Sequence, residues 1–260
     1  MKSNLREEFL RKAKLKVQAA ISSPDNLLIQ TVSCIDELNR ASNLLFERLT
    51  EWYGVYFPEF KSSDPEKFVQ GVLIIDRENI KREELEKVFG QQAASIEQKA
   101  SVSVGAQLSS QDVQQIRKLA MQVQMLWKLR QEVESYQEGL AKRVCPNISY
   151  LVGSLLASKL VAQAGGLQRL ATLPSSTVQV LGAEKALFKH LKSGSKPPKH
   201  GLIFQHPQIS RSPRKLRGKI ARAIAAKIAI ASKADAMSGN FIAEKLKAQL
   251  DAQLKRILEK

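Results

Sequence analysis

Two heptad patterns constrain this chain more than any other feature of it. Leu28, Ile35, Ser42 and Leu49 recur every seven residues, and Thr31, Leu38, Leu45 and Trp52 recur between them. A second frame begins at Asp112. Ile116, Val123, Arg130, Gln137 and Val144 hold one position in it, and Leu119, Leu126, Val133 and Leu140 hold the other. Such a repeat gathers its side chains on one helix face, which needs a partner helix to cover it. Ser22-Ser23-Pro24 precedes the first seam, Gly54 and Pro58 end it, and Cys145-Pro146 stops the second. Two seams of similar length, separated by the shorter connecting region 58–110, predict a long antiparallel helical hairpin. The pattern fits an ordinary helical core and a projecting coiled coil equally. Arg130 and Gln137 cost stability at a fully buried seam, so they fix register or mark a wet edge. Leu38, Leu45, Trp52, Leu126 and Leu140 are the candidate contacts for pairing with a second copy.

The rest of the chain also reads as helix. Residues 3–21 alternate charges with Leu5, Phe9, Leu15 and Val17, a short amphipathic helix. Pro146-Asn147 caps an apolar helix through "ISYLVGSLLASKLVAQA", and Gly165-Gly166 breaks it. Pro174-Ser175-Ser176 starts a helix that runs to Ser193-Gly194. Pro197-Pro198 lacks two amide donors and forces an extended backbone. Ser212-Pro213 starts the next helix, with Ser as cap and Pro in the first turn. A last helix follows Ser238-Gly239, and "GLIF" and "GVLII" are the only short strand candidates. Aromatics make up only 6% and Gly and Pro are sparse, so the composition leans the same way. The expected fold is all-α. Residues 1–23 form a short N-terminal helix, 24–145 the hairpin, and 146–260 a compact helical domain with a C-terminal helix.

Charge narrows the function. The formal net charge is +16, and residues 182–227 carry twelve Lys or Arg against one acid, Glu184. From Lys185 to Lys233 no acid interrupts. A concentrated excess is the footprint of a polyanion partner, either nucleic acid or an anionic membrane. The apolar fraction of 43% argues against disorder. Cys34 and Cys145 each sit in a helical pattern with no CxxC spacing, so neither a zinc ribbon nor a disulfide framework is expected. A reducing interior fits best. The N-terminus lacks the apolar core of a signal peptide, and no run of about 18 apolar residues predicts a membrane-spanning helix.

Within the basic stretch, Leu216, Ile220, Ile224 and Ile228 are spaced by four and form an apolar stripe. Lys215, Lys219 and Arg222, with Arg211 and Arg214 just before, fall on the opposite side. Ordinary solvated faces mix signs, and this one does not. The loop "SGSKPPKHG" holds Lys196, Lys199 and His200 on a stiff scaffold, and no GxxxxGK[ST] pattern makes it a nucleotide loop. Lys185, Lys189, Lys192, His190 and Gln205 complete the candidate contacts. His190, His200 and His206 match no common ligand spacing, and no Cys or Asp lies between them, so no metal or other cofactor is expected. No nearby carboxylate orients them and no nucleophile elbow exists, so no catalytic residue is expected either. Histidine also stacks on bases and contacts phosphates, while His206 before Pro207 equally fits a buried structural role. Phe188 and Phe204 sit in apolar runs that read as core.

The segments "IDELN", "ERLTEWYGVYFPE", "SVGAQLSSQD", "CPNISYLVGSLLASKLVAQAGGLQRLATLPSSTVQVLGAEKALF", "FKHLKSGSKPPKHGLIFQHP" and "LRGKIARAIAAKIAIASKADAMSG" occur in this order. Together they resemble the Nop-domain family, over about residues 24–240. The resemblance is strongest to the archaeal scaffold of box C/D guide-RNA ribonucleoproteins, which has eukaryotic nucleolar relatives and a spliceosomal one. It implies that residues 146–260 are a Nop domain that docks on kink-turn RNA held by a small ribosomal-like protein. It also implies that the coiled coil pairs two copies and that an N-terminal domain recruits fibrillarin for RNA 2′-O-methylation. The scaffold itself does no chemistry. The implied location is the cytoplasm of an archaeon, or the nucleolus if the source is eukaryotic. Family members often carry an α/β domain before the coiled coil, whereas about 23 residues precede the first seam here. Recruitment of fibrillarin is therefore expected to be weaker, or to use the helix at 3–21. Lys189 stands where relatives often have Arg, which keeps the charge and loses the bidentate fork.

Other function classes fit less well. An enzyme acting on RNA through two metals needs clustered carboxylates, which the basic stretch lacks. A membrane-surface protein needs large exposed apolar residues opposite its basic face. Here "ARAIAAKIAIAS" reads as close helix packing. A narrower alternative is a Nop-domain RNA-binding protein that recruits no methyltransferase.

Overall fold

The computed structural model describes residues 2–259, and no strand occurs among them. In chain order the helices are α1 (Lys2–Ile21), α2 (Pro24–Tyr56), α3 (Pro65–Ile74), α4 (Arg82–Phe89), α5 (Ala93–Ser101), α6 (Ser110–Val144) and α7 (Pro146–Val152). Then follow α8 (Ser154–Ala164), α9 (Leu167–Thr172), α10 (Ser175–Val180), α11 (Glu184–Ser193), α12 (Pro207–Ser210), α13 (Arg217–Lys233) and α14 (Ala243–Leu258). The all-α expectation holds, and the two seams lie on α2 and α6.

Several expected boundaries move. The helix expected from Asn147 to Ala164 divides at Gly153, whose φ of +85° disfavours any residue with a Cβ. The helix expected over 175–193 divides at Gly182, where φ is +84° and a Cβ would press on the Leu202 side chain. The helix expected at Ser212-Pro213 begins instead at Arg217, after a turn over 214–216. Ser212 Oγ donates to Gln208 O at 2.6 Å and caps nothing. Gly54 lies inside α2 rather than ending it.

The chain forms two compact units. The first comprises residues up to Cys34 together with Glu134 onward, and the second is Ile35–Val133. The second unit contains α3 to α5, so the region expected only to connect the seams is folded structure. Asp64 starts α3, its Oδ1 accepting from the Glu66 and Lys67 amides at 2.9 and 3.4 Å, with Pro65 in the first turn. The core here is aromatic. Phe60 stacks on Phe57 and Phe68, and the Phe89 ring meets it edge-on at 5.7 Å. Ile35, Ser42 and Leu49 of α2 are buried, as are Ile116 and Val123 of α6. Leu38, Leu45 and Leu126 are half-buried, and Trp52 keeps 41% of its surface exposed. Arg130 Nη1 donates to Asn39 Oδ1 at 3.0 Å, and the Phe46 and Trp127 rings lie 5.7 Å apart, so the two helices run antiparallel.

The "SVGAQ" loop is pinned to the end of α2. Glu59 accepts from Ser103 Oγ at 2.5 Å and from Val104 N at 2.9 Å. Arg77 Nη1 donates to Tyr56 O and, at 3.1 Å, to Ala106 O. Gly105 lies so close to Tyr56 O that a Cβ there would overlap it.

In the first unit α13 is central, packing on α7, α9, α10 and α14. Ile220, Ile224 and Ile228 are buried, and so are Ala221, Ala223, Ala225 and Ala231. Asn147 ties three segments together. Asp235 Oδ1 accepts from Asn147 N and Nδ2 at 3.0 and 2.7 Å, and Oδ2 from Ile148 N at 3.1 Å. Asn147 Nδ2 also donates to Asn240 O at 2.9 Å, and its Oδ1 accepts from Ile242 N at 2.7 Å. Gln137, buried, donates to Thr31 Oγ1 at 3.2 Å, so this polar seam residue fixes register within one chain. Leu140 is core, 3% exposed.

Two outcomes follow for stability. A Cβ on Gly71 would overlap the Phe60 ring and lie 3.1 Å from Phe89 Cζ. Phe60 is held on both faces, so Gly71→Ala should cost about 1–3 kcal/mol even after the gain in helix propensity. Urea denaturation will measure this, and an unchanged midpoint would show a looser ring cluster. His206 is buried, and its Nδ1 accepts from Gln208 N at 3.3 Å. Burial, helped by the Lys247 charge, holds its imidazole below the usual histidine range. A depressed folded value means stability present above the unfolded pKa and lost as pH falls through the folded one. The melting temperature should therefore drop on mild acidification, and His206→Asn, which keeps the cap, should flatten that drop.

Candidate nucleic-acid interface

The basic stretch folds as an amphipathic helix, a proline loop, a short turn and the start of α13. In α11, Lys185, Lys189 and Lys192 are exposed. Phe188 and Leu191 are also exposed, at 64% and 70%. The reading of Phe188 as core is therefore wrong. Its apolar run is one face of a helix that the rest of the unit leaves open. Gly194, in the left-handed region at φ +63°, ends α11, and His190 Nδ1 hydrogen-bonds Ser195 O to close the turn.

The proline loop is fastened at its far end. Gln179 Nε2 donates to Lys199 O at 2.7 Å, Gly201 N to Gln179 O at 2.9 Å, and Leu202 N to Leu181 O at 2.7 Å. A side chain at Gly201 would overlap Leu181 O. Lys196, Lys199 and His200 thereby line one cleft with Arg214 and Arg217. His200 stacks on Phe204 with centroids 4.5 Å apart, and the Arg217 guanidinium lies 5.3 Å from the same ring centroid. Burial, and then the charge of Arg217, hold the His200 imidazole below its ordinary range, so it is neutral at neutral pH.

The ridge expected along α13 is present. Lys215, Lys219 and Arg222 are exposed, as are Arg211 and Arg214, and Leu216 is half-buried at the head of the buried isoleucine stripe. Among the described residues none of these cations forms an ion pair. The stretch's one acid is occupied: Glu184 Oε1 accepts from Gly182 N at 2.8 Å and from Gln163 Nε2 at 3.2 Å.

Gln205 stands apart from the cleft. It accepts from Lys159 Nζ at 3.2 Å and borders a hollow that also holds Glu134 and Glu138. His206 is structural. Sequence reasoning missed Arg217 as a cleft residue, because its charge looked like that of its neighbours. Among the described residues no group of three or more His, Cys, Asp or Glu could hold a metal ion, and no helix is long and apolar enough to cross a membrane.

Comparison with known proteins gives this surface a family. A family model described as "Nop: snoRNA binding domain, fibrillarin" matches residues 34–259. An uncharacterised NOP5 family protein of Methanocaldococcus jannaschii is 41% identical over 251 residues, covering 95% of this chain and 60% of that protein. Nucleolar protein 56 of Mus musculus is 35% identical over 93% of this chain and 44% of its own length. Nucleolar protein 58 of Sclerotinia sclerotiorum is 36% identical over 86% and 40%. The chain thus spans less than two thirds of each of these relatives. A solved fibrillarin/Nop5p complex contains a chain similar to this one with TM-score 0.59 and 25% identity, covering 98% of this chain and 78% of that one. With a family model covering most of its length and relatives above 30% identity, the chain belongs to the Nop family.

Proposed function

We propose that this protein is a non-catalytic scaffold of a box C/D guide-RNA ribonucleoprotein. It binds kink-turn RNA together with a small kink-turn-binding protein, pairs with a second copy and helps position fibrillarin for RNA 2′-O-methylation. The observation that carries the reading is the unpaired cationic surface of α11, the proline loop and α13 in a chain of this family. Lys and Arg without acid partners suit phosphates, and they read little sequence. Exposed Phe188 and Leu191 beside Lys185, Lys189 and Lys192 support a composite surface, with apolar contacts to the partner protein and cations on RNA. RNA alone should then bind loosely. The partner should tighten binding by a coupling of about 1–3 kcal/mol, read by gel-shift titration with and without it. Equal affinity in both titrations, with full preference for kink-turn over scrambled RNA, would refute the composite surface. Reversing Lys215, Lys219 and Arg222 to Glu should leave the fold intact and flatten the salt dependence of binding. An unaltered slope would sink the ridge.

Pairing of two copies has its own support. On α6, Met121, Met125 and Leu129 are exposed at four-residue spacing, and Leu44 of α2 is exposed as well. Leu140 belongs to the core of its own chain, so it is not part of this surface. The double change Met125→Glu and Leu129→Glu should give a monomer at about tens of micromolar, where the unaltered chain sediments as a dimer. A monomer in both cases removes pairing from the proposal. RNA binding without capture of fibrillarin in a pull-down would favour the narrower role of RNA-binding protein alone.

A further inference from the structure

Arg217 differs from the other cations of its cleft. Its Nε donates to Ser212 O at 2.9 Å and its Nη2 to Ser210 O at 3.1 Å. Its guanidinium carbon lies 5.3 Å from the centroid of the Phe204 ring, on which His200 stacks at an interplanar angle of 17°. A continuous series of contacts thus links the first residue of α13 to the proline loop. Lys196, Lys199 and Arg214 are exposed and make no side-chain hydrogen bond or ion pair among the described residues.

We propose that Arg217 is the positioning residue of the cationic cleft: its guanidinium orders Phe204 and His200 and fixes the turn before α13, and it takes no phosphate itself. The inference rests on the reading of this cleft as an RNA contact. Only arginine offers a planar cation whose edge meets two carbonyls while its face covers a ring. With Nε and Nη2 committed to the backbone carbonyls, the side-on fork that would grip a phosphate through those two nitrogens is already in use. The charges facing His200 are Arg217, Lys199, Lys196 and Arg214, and no acid lines the cleft. The imidazole therefore stays neutral and stacked, which leaves phosphate neutralisation to the three free cations.

Phosphate ligands and positioning residues leave different signatures. Losing a phosphate contact lowers affinity and reduces the slope of log K against log salt by about 0.7–0.9. Losing a positioning residue lowers affinity at constant slope. The His200 ring protons of the RNA-free chain, followed by NMR, report the stack directly. We expect Arg217→Ala to abolish their ring-current shift and raise the His200 titration toward the ordinary value. Arg217→Lys should abolish the shift as well, because a lysine cannot stack and span both carbonyls. Both variants should bind kink-turn RNA about three- to tenfold more weakly, the scale of one lost cation–π stack, with the salt slope unchanged. Phe204→Leu, which keeps both backbone hydrogen bonds of Arg217, should give the same loss and serves if the Arg217 variants fold poorly. Arg214→Ala should reduce the slope. Normal affinity in Arg217→Lys with a reduced slope in Arg217→Ala would make Arg217 a phosphate ligand and overturn the proposal. Unchanged His200 signals in both variants would overturn it whatever RNA does. If the His200 signals change but RNA affinity does not, and Lys196→Glu with Lys199→Glu is also silent, the RNA reading of the cleft falls and the proposal with it.

Discussion

The burial of α13 is the constraint on which the first unit depends. Its small residues, Ala221, Ala223, Ala225, Ala231 and Ser232, are all buried and let α7, α9, α10 and α14 approach closely. Ile220, Ile224 and Ile228 fill the space between. A helix enclosed this way meets water along only a narrow strip, and Lys219 and Arg222 lie on that strip. The same element therefore forms the core and presents the charge. Just beyond its end, Asp235 holds the start of α7 through Asn147 and Ile148, so the polar clamp and the apolar packing support one arrangement. The side-chain amide of Asn147 has no unsatisfied polar atom, which is the condition under which a buried amide does not cost stability.

The second unit is held by a different logic. Its core is built from large rings, and its tight places are glycines where a ring or a carbonyl passes. Gly71 accommodates the Phe60 ring, and Gly105 accommodates Tyr56 O. The loop that includes Gly105 makes its hydrogen bonds to Glu59 and Arg77 through Ser103, Val104 and Ala106. This gives "SVGAQ" a physical meaning within the fold.

Much of this was legible in the heptads. The positions of Ile35, Ser42, Leu49, Ile116 and Val123 predicted burial, and burial is found; Gln137, which the seam left open between fixing register and marking a wet edge, is buried as well. The series Thr31, Leu38, Leu45 and Trp52 drifts out of the seam by Trp52, because a straight helix turns by 3.6 residues and cannot keep a strict repeat of seven. Gly153 and Gly182 were not legible as breaks. A glycine inside a helical pattern is tolerated locally, and the pattern carries no sign of the positive φ that both adopt. Phe188 was misread for a related reason: periodicity identifies an apolar face and says nothing of what covers it. The basic surface was legible as charge, since the absence of acids needs no structure to be seen. The division of labour within it was not, because only three-dimensional contact separates Arg217, bound to two carbonyls and a ring, from Arg214, bound to none.

That surface carries a cost for the free protein. Twelve cations against one acid in residues 182–227 repel one another, and Glu184 spends its carboxylate on Gly182 and Gln163. Each close like-charge pair costs about 1 kcal/mol at 4 Å in water, less where salt screens it. Burial of α13 offsets the repulsion and keeps the cations in place. The placement limits the cost, because most of the charges sit on exposed parts of α11, the proline loop, the turn before α13 and the wet strip of α13, where desolvation adds little. A polyanion on this surface removes the repulsion and adds attraction in the same step. Whatever binds only the folded state also stabilises it by mass action. The residues that weaken the free protein therefore strengthen the complex, so the arrangement is better matched to a chain that works bound to a polyanion than to one that works alone.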